Sequence, residues 1–186
     1  MSLTNTRQGY GWISVALHWI AAISILVLYL NGEAIEDAAG RDAHLAAVTS
    51  HVSLGMALIV VLAARVVWSV ASKKPDPFPQ HPALRALSLL IHWLLLLAIV
   101  VAIVTGPLAI WSVGRPLDLY GLQIPSPWTT PDRGLHELME EVHEVAASSF
   151  IPLVALHVLG ALKHLVIDRD RTLQRMLWVR SPKAGG

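Results

Sequence analysis

Apolar residues fill four long stretches of this chain, and the charged residues fall between them. Nothing formally charged lies between Arg7 and Glu33, between Asp42 and Arg65, between Arg85 and Arg115, or between Glu144 and Lys163. A helix that crosses a bilayer needs about 20 mostly apolar residues, so each stretch predicts one span. The expected spans are 12–31, 45–71, 84–111 and 140–167, each about 30 Å or more at about 1.5 Å per residue. Their apolar residues run around the whole helix circumference, as a lipid-bathed bundle requires. The fold class expected is all-α: a four-helix transmembrane bundle, one integral membrane domain over 1–186, with an outer loop at 112–139 and a cytoplasmic tail at 168–186.

Composition agrees. Hydrophobic residues make up 54% and charged residues 15%, against roughly 25% charged in an ordinary soluble domain. The net charge of +1 gives no reason to expect a nucleic-acid partner; the partner that the composition demands is a lipid bilayer. With no cysteine there is no disulfide, thiolate metal site or covalent C-x-x-C-H haem attachment. A cleavable signal peptide is the competing reading of the first span, with small residues at Ala34 or at Ala38 to Gly40, but the apolar run is too long for an h-region.

Basic residues are retained in the cytoplasm. Lys and Arg collect at the amino terminus, in the proline-rich 72–83 connection, at the matching ends of the second and fourth spans and in the tail, leaving Arg41, Arg115 and Arg133 on the other side. Both termini are therefore expected inside. Trp12, Trp19, Trp68, Trp93 and Trp178 fall near the inner boundary and Trp111 and Trp128 near the outer one, as interfacial belts would.

An ionisable side chain within a bilayer is a functional-site hypothesis, because burying it is costly unless it finds a partner. His18, His51, His92, His143 and His157 lie inside the spans, with His164 at the inner rim. His143 and His157 are fourteen residues apart, which puts them within about 40° of one face and about 21 Å apart in depth. His18 matches the depth of His157, and His51 that of His143. Imidazoles paired across helices, one pair per leaflet, suit two non-covalent b haems, with both axial positions filled for electron transfer. Gly55 and Gly160 would leave bare backbone for haem packing on the helices of His51 and His157. Arg65, fourteen residues after His51, would reach the inner level and pair with a haem propionate.

Blander readings stand beside these. Histidine can serve as an interhelical hydrogen-bonder, Arg65 can snorkel to headgroups, and the glycines can serve close helix packing. His136, His143, His157 and His164 share one stripe, so the pairs 136/157 and 143/164 compete, and His92 is the main rival ligand at the inner level. His92 and His164 are placed instead at a quinone or proton-transfer site. His44, His81 and His136 are expected at the surface, and Pro107 and Pro152 should kink their spans, with Ser148 and Ser149 serving freed backbone groups.

Leu17-His18-Trp19, His51 to Gly55 with Arg65 beyond, His143-Glu144, and Leu156-His157 with His164 beyond resemble the bacterial cytochrome b561 family over about residues 8–180. The resemblance implies a multi-pass protein of the bacterial cytoplasmic (inner) membrane. It implies two b haems on His18, His51, His143 and His157, and electron exchange with ubiquinone. Its superfamily includes cytochrome b anchor subunits of hydrogenases and formate dehydrogenases, and superoxide oxidases. A superoxide:ubiquinone oxidoreductase is thus the enzyme expectation; an electron conduit for a separate dehydrogenase or hydrogenase, or an acceptor from a soluble cytochrome, is the alternative. The acidic outer segments would repel superoxide and favour a cationic redox protein, unless Arg41, Arg115 or Arg133 forms a local funnel.

Overall fold

The computed structural model describes residues 2–177; Trp178, Arg180 and Lys183, assigned above to the inner boundary and tail, lie outside the described residues. Four long helices dominate: α1 (Trp12–Glu36), α2 (Arg41–Ala71), α3 (Pro82–Ser112) and α4 (Arg133–Val166). A hairpin of β1 (Leu117–Leu119) and β2 (Leu122–Ile124) joins α3 to α4, and one turn, α5 (Gln174–Leu177), follows. Each long helix is apolar and long enough to cross a membrane, and no more than 17% of any apolar window is buried inside the protein. Their apolar surface is therefore left for lipid, and intrahelical bonding satisfies the backbone there.

The helices overrun the limits that hydropathy set. α1 continues to Glu36 rather than ending near 31, α2 begins at Arg41 rather than 45, and α4 begins at Arg133 rather than 140. Hydropathy marks what lipid covers, whereas caps and turns decide where a helix ends. Gly40, at φ +87°, makes the turn into α2. The Asp132 carboxylate accepts from the Leu135 amide at 2.9 Å, an N-cap that starts α4 within the expected outer loop. What is left of that loop is mostly the hairpin, turned by Tyr120 and Gly121, both at positive φ, the backbone that a two-residue type I′ turn needs.

Pro107 and Pro152 sit inside unbroken helices. Ser148 and Ser149 donate to the Val145 and Ala146 carbonyls, not to the Ser148 carbonyl that loses its amide partner to Pro152.

Polar contacts pin both ends of the bundle. At the hairpin end, Ser53 of α2 is 2% exposed and donates to Asp118 at 3.0 Å. At the other end, Asn5 accepts from Ser14 at 2.6 Å and from the Gly11 amide at 2.9 Å and donates to the Lys73 carbonyl. Trp68 donates to Ser14 at 2.7 Å, and Trp19 to the Met176 carbonyl at 2.8 Å. The amino terminus, the α2–α3 connection and α5 thus share one end, which an even number of antiparallel helices requires.

Close backbone packing is strongest within the pairs α1/α2 and α3/α4, with α2 also against α3, while α1 and α4 scarcely approach each other. A cluster of Ala21, Leu62, Ala98, Ile99 and Phe150 forms the apolar core at mid-depth.

Candidate functional site

Two levels of polar or bare positions lie on either side of that core. Each long helix contributes a pair fourteen residues apart: His18 and Gly32 on α1, His51 and Arg65 on α2, His92 and Gly106 on α3, His143 and His157 on α4. Because neighbouring helices run in opposite directions, one level receives His18, Arg65, His92 and His157, and the other receives Gly32, His51, Gly106 and His143.

At the terminal-end level the His18 and His157 ring centres are 6.1 Å apart. His92 is closer to His157, at 5.0 Å and nearly perpendicular, and its Nδ1 lies 2.5 Å from the Ser88 carbonyl. Arg65 is near enough to bear electrostatically on all three rings. Its guanidinium has no hydrogen bond or ion pair among the described residues. Tyr10, just outside α1, has its hydroxyl pushed above its ordinary range by burial, against the opposing charges of Arg175 and Arg65.

At the hairpin-end level His51 and His143 also have ring centres 6.1 Å apart. The Thr105 hydroxyl lies 3.2 Å from His143 Nδ1, and the Ala102 backbone lies close to the same ring. His51 Nδ1 is buried with no partner in hydrogen-bond geometry, though the Leu28 carbonyl lies close to the ring. A Cβ on Gly106 would stand 3.0 Å from His143 Cε1, and one on Gly32 would stand 3.6 Å from His51 Cε1.

The other candidates are placed differently. Gly55 faces only Leu28 of α1, at 3.9 Å, and Gly160 faces open space. His164 does not join the ring pairs; its Nδ1 lies 2.7 Å from Asp170 and 3.1 Å from Asp168, whose carboxylate also meets Lys163. Burial raises the Asp170 carboxyl, but hydrogen bonds from Thr172 and His164 outweigh it and hold the group below its ordinary value. His136 is not a free surface residue, for its Nδ1 lies 2.8 Å from the Ala109 carbonyl of α3. Of the stripe on α4, His143 and His157 are the two rings that meet histidines of other helices.

Sequence reasoning missed Gly32, Gly106, Thr105 and the Ser53–Asp118 contact. The fourteen-residue spacing that was read from His143 to His157 and from His51 to Arg65 also runs from His18 to Gly32 and from His92 to Gly106. It was a usable signal for the two glycines.

A lipid-exposed four-helix bundle with histidines meeting across helices at two levels is the arrangement of a membrane cytochrome. The chain belongs to the family described as Prokaryotic cytochrome b561, which matches residues 9–178. It is 34% identical over 189 aligned positions to cytochrome b561 homolog 2 of Escherichia coli strain K12, covering all of both chains. Cytochrome b561 homolog 1 of the same strain is 27% identical, over 88% of this chain and 93% of the relative. A "Probable superoxide oxidase CybB" of Yersinia pestis is 22% identical over 92% of this chain and 97% of its own length. Family membership implies b-type haem in a multi-pass bacterial membrane protein.

Proposed function

We propose that this chain is a two-haem b cytochrome of the bacterial cytoplasmic (inner) membrane, with both termini inside. It passes electrons between a donor at the hairpin end and ubiquinone. His18 with His157, and His51 with His143, hold the haem irons. Bound there, haem b would supply a reversible one-electron carrier at each level.

The observation that carries this reading is the 6.1 Å separation of ring centres, the same in both pairs. That separation leaves room for one metal ion between the rings of each pair at about 2 Å per metal–nitrogen bond, so His18 with His157 and His51 with His143 would hold the iron of a haem. His92 stands nearer to His157, at 5.0 Å.

The surroundings fit the group. α1 and α4 leave a gap that the His18 and His157 side chains face across. Gly32 and Gly106 clear the His51 and His143 rings, and the open face of Gly160 leaves further room for haem packing. Thr105 meets Nδ1 of His143, a contact that would orient the ring for the metal. A guanidinium within a bundle is costly without an anion, and a propionate supplies one for Arg65. His92, with Nδ1 committed to Ser88, and His164, among Asp168 and Asp170, serve quinone binding or proton transfer on the terminal side.

Haem counting tests the reading. His51→Ala or His143→Ala should lower the pyridine haemochrome stoichiometry from two haems per chain to one, and His18→Ala should remove the other. Unchanged stoichiometry in these variants would exclude the assignment.

For the donor, the Yersinia relative's name, a superoxide oxidase, favours superoxide, which would make this chain a superoxide:ubiquinone oxidoreductase. Exposed Glu33, Glu36, Asp37, Asp42, Glu137, Glu140 and Glu141 at the hairpin end favour a cationic redox protein or a separate dehydrogenase instead. Rapid haem reduction by superoxide, with quinone as terminal acceptor, selects the first. Inertness to superoxide with co-purification of a redox partner selects the second.

A further inference from the structure

Beside the His51 and His143 level, toward the hairpin, lies a cavity of about 230 Å3. Its walls include Val48 and Val52, which bracket His51 on α2, and Ile110, one turn beyond Gly106 on α3; Thr49, Arg115 and Asp118 add polar atoms. The space is small for a whole organic substrate, whose pockets run from about 300 Å3 upward. It suits a carboxylate arm accompanied by a few waters at about 30 Å3 each.

Two opposite charges line the cavity, but they are not equally free. Asp118 is occupied by donors from Ser53, Gly121 and Gln123. Arg115 has no hydrogen bond or ion pair among the described residues. Apolar Val48, Val52 and Ile110 on one side and the exposed, unpaired Arg115 guanidinium at the rim suit an oxyanion on a short apolar stem.

We propose that the Arg115 cavity seats a propionate of the haem held by His51 and His143, with Arg115 as its cationic partner, as Arg65 is at the other level. This rests on the two-haem reading above. A cation beside a haem favours the reduced state, which carries the additional electron, so its removal lowers the midpoint potential.

Redox titration of the purified full-length chain in lipid nanodiscs is the test, with each haem component identified by its loss in His51→Ala or His18→Ala. Arg115→Gln should shift the reduced-to-oxidised ratio of the His51-dependent component about tenfold toward oxidised, about 59 mV, and leave the other component in place. Arg115→Lys should restore part of the shift, and it replaces Arg115→Gln as the deciding variant should that protein lose haem. Two components that both stay put, or move together, would overturn the proposal. So would a formate-dependent shift in the wild type that Arg115→Gln abolishes, which would assign the cavity to free anions. Failure of the two-haem reading looks different: the wild type would lack a second component.

Discussion

Gly106 stands against the His143 imidazole so closely that a Cβ at that position would lie 3.0 Å from Cε1 and 3.3 Å from Nδ1. The ring has little freedom to retreat, because the adjacent Thr105 hydroxyl meets the same Nδ1 at 3.2 Å.

Gly106→Ala should therefore displace the His143 ring and weaken binding of the haem proposed at that level, with overpacking costing about 1–3 kcal/mol. Gly32→Ala should be milder, since its Cβ would meet His51 at 3.6 Å, an ordinary contact. Haem content and thermal stability of the two variants check this. Equal effects would mean that the clearance at Gly106 does not matter.

Ser14 is 5% exposed and joins α1 to α2 by accepting from the Trp68 indole while donating to Asn5. Ser14→Ala leaves both without that partner. It should cost about 1–3 kcal/mol, the usual penalty for a buried polar group left unsatisfied. A thermal melt reads the loss, and combining it with Trp68→Phe should cost less than the sum of the two single changes.

Hydrogen bonds from the Gly121 amide and the Ser53 hydroxyl hold the Asp118 carboxyl below its ordinary range. A group whose folded pKa is depressed stabilises the fold above its unfolded pKa of about 4 and loses that contribution as pH falls through the lower folded value. The hairpin should hence loosen from α2 only in acid, below about pH 4. Asp118→Asn should remove most of this acid dependence. Fluorescence of Trp111, whose indole donates to the Ile124 carbonyl of β2, followed against pH, reports it.

On the two-haem proposal, Arg65→Gln should lower the midpoint potential of the haem assigned to His18 and His157 and spare the other, because Arg65 lies near the His18 and His157 rings. Potentiometric titration decides it. Equal shifts in both components would place Arg65 elsewhere in the electrostatics of the bundle.

Much of this organisation was legible in one dimension. Lipid imposes a length and a polarity on whatever crosses it, so the uncharged stretches before Glu33 and after Arg85 announced α1 and α3 without any knowledge of contacts. A fixed rise per residue turned the interval between His143 and His157 into a difference in depth. Hydropathy was blind to Asp132, whose cap starts α4 before the lipid-facing run, and to the Tyr120–Gly121 turn, where local backbone chemistry rather than apolar content decides the shape. The Gly55 and Gly160 positions were chosen for lying on a ligand's own helix. The glycines that touch the rings belong to neighbouring helices instead, and which helix is a neighbour cannot be read from spacing within one helix.

By itself, then, the sequence determined the four membrane helices, their order and the depth of each histidine, because solvent preference and helical rise act residue by residue along a chain. Tertiary structure alone decided which rings face each other. It brought His18 to His157 and His51 to His143, left His92 beside His157, and drew His164 to Asp170. Depth restricts the choice of partner to a level, whereas rotation and lateral packing of whole helices, set by many weak contacts together, choose among the residues found there.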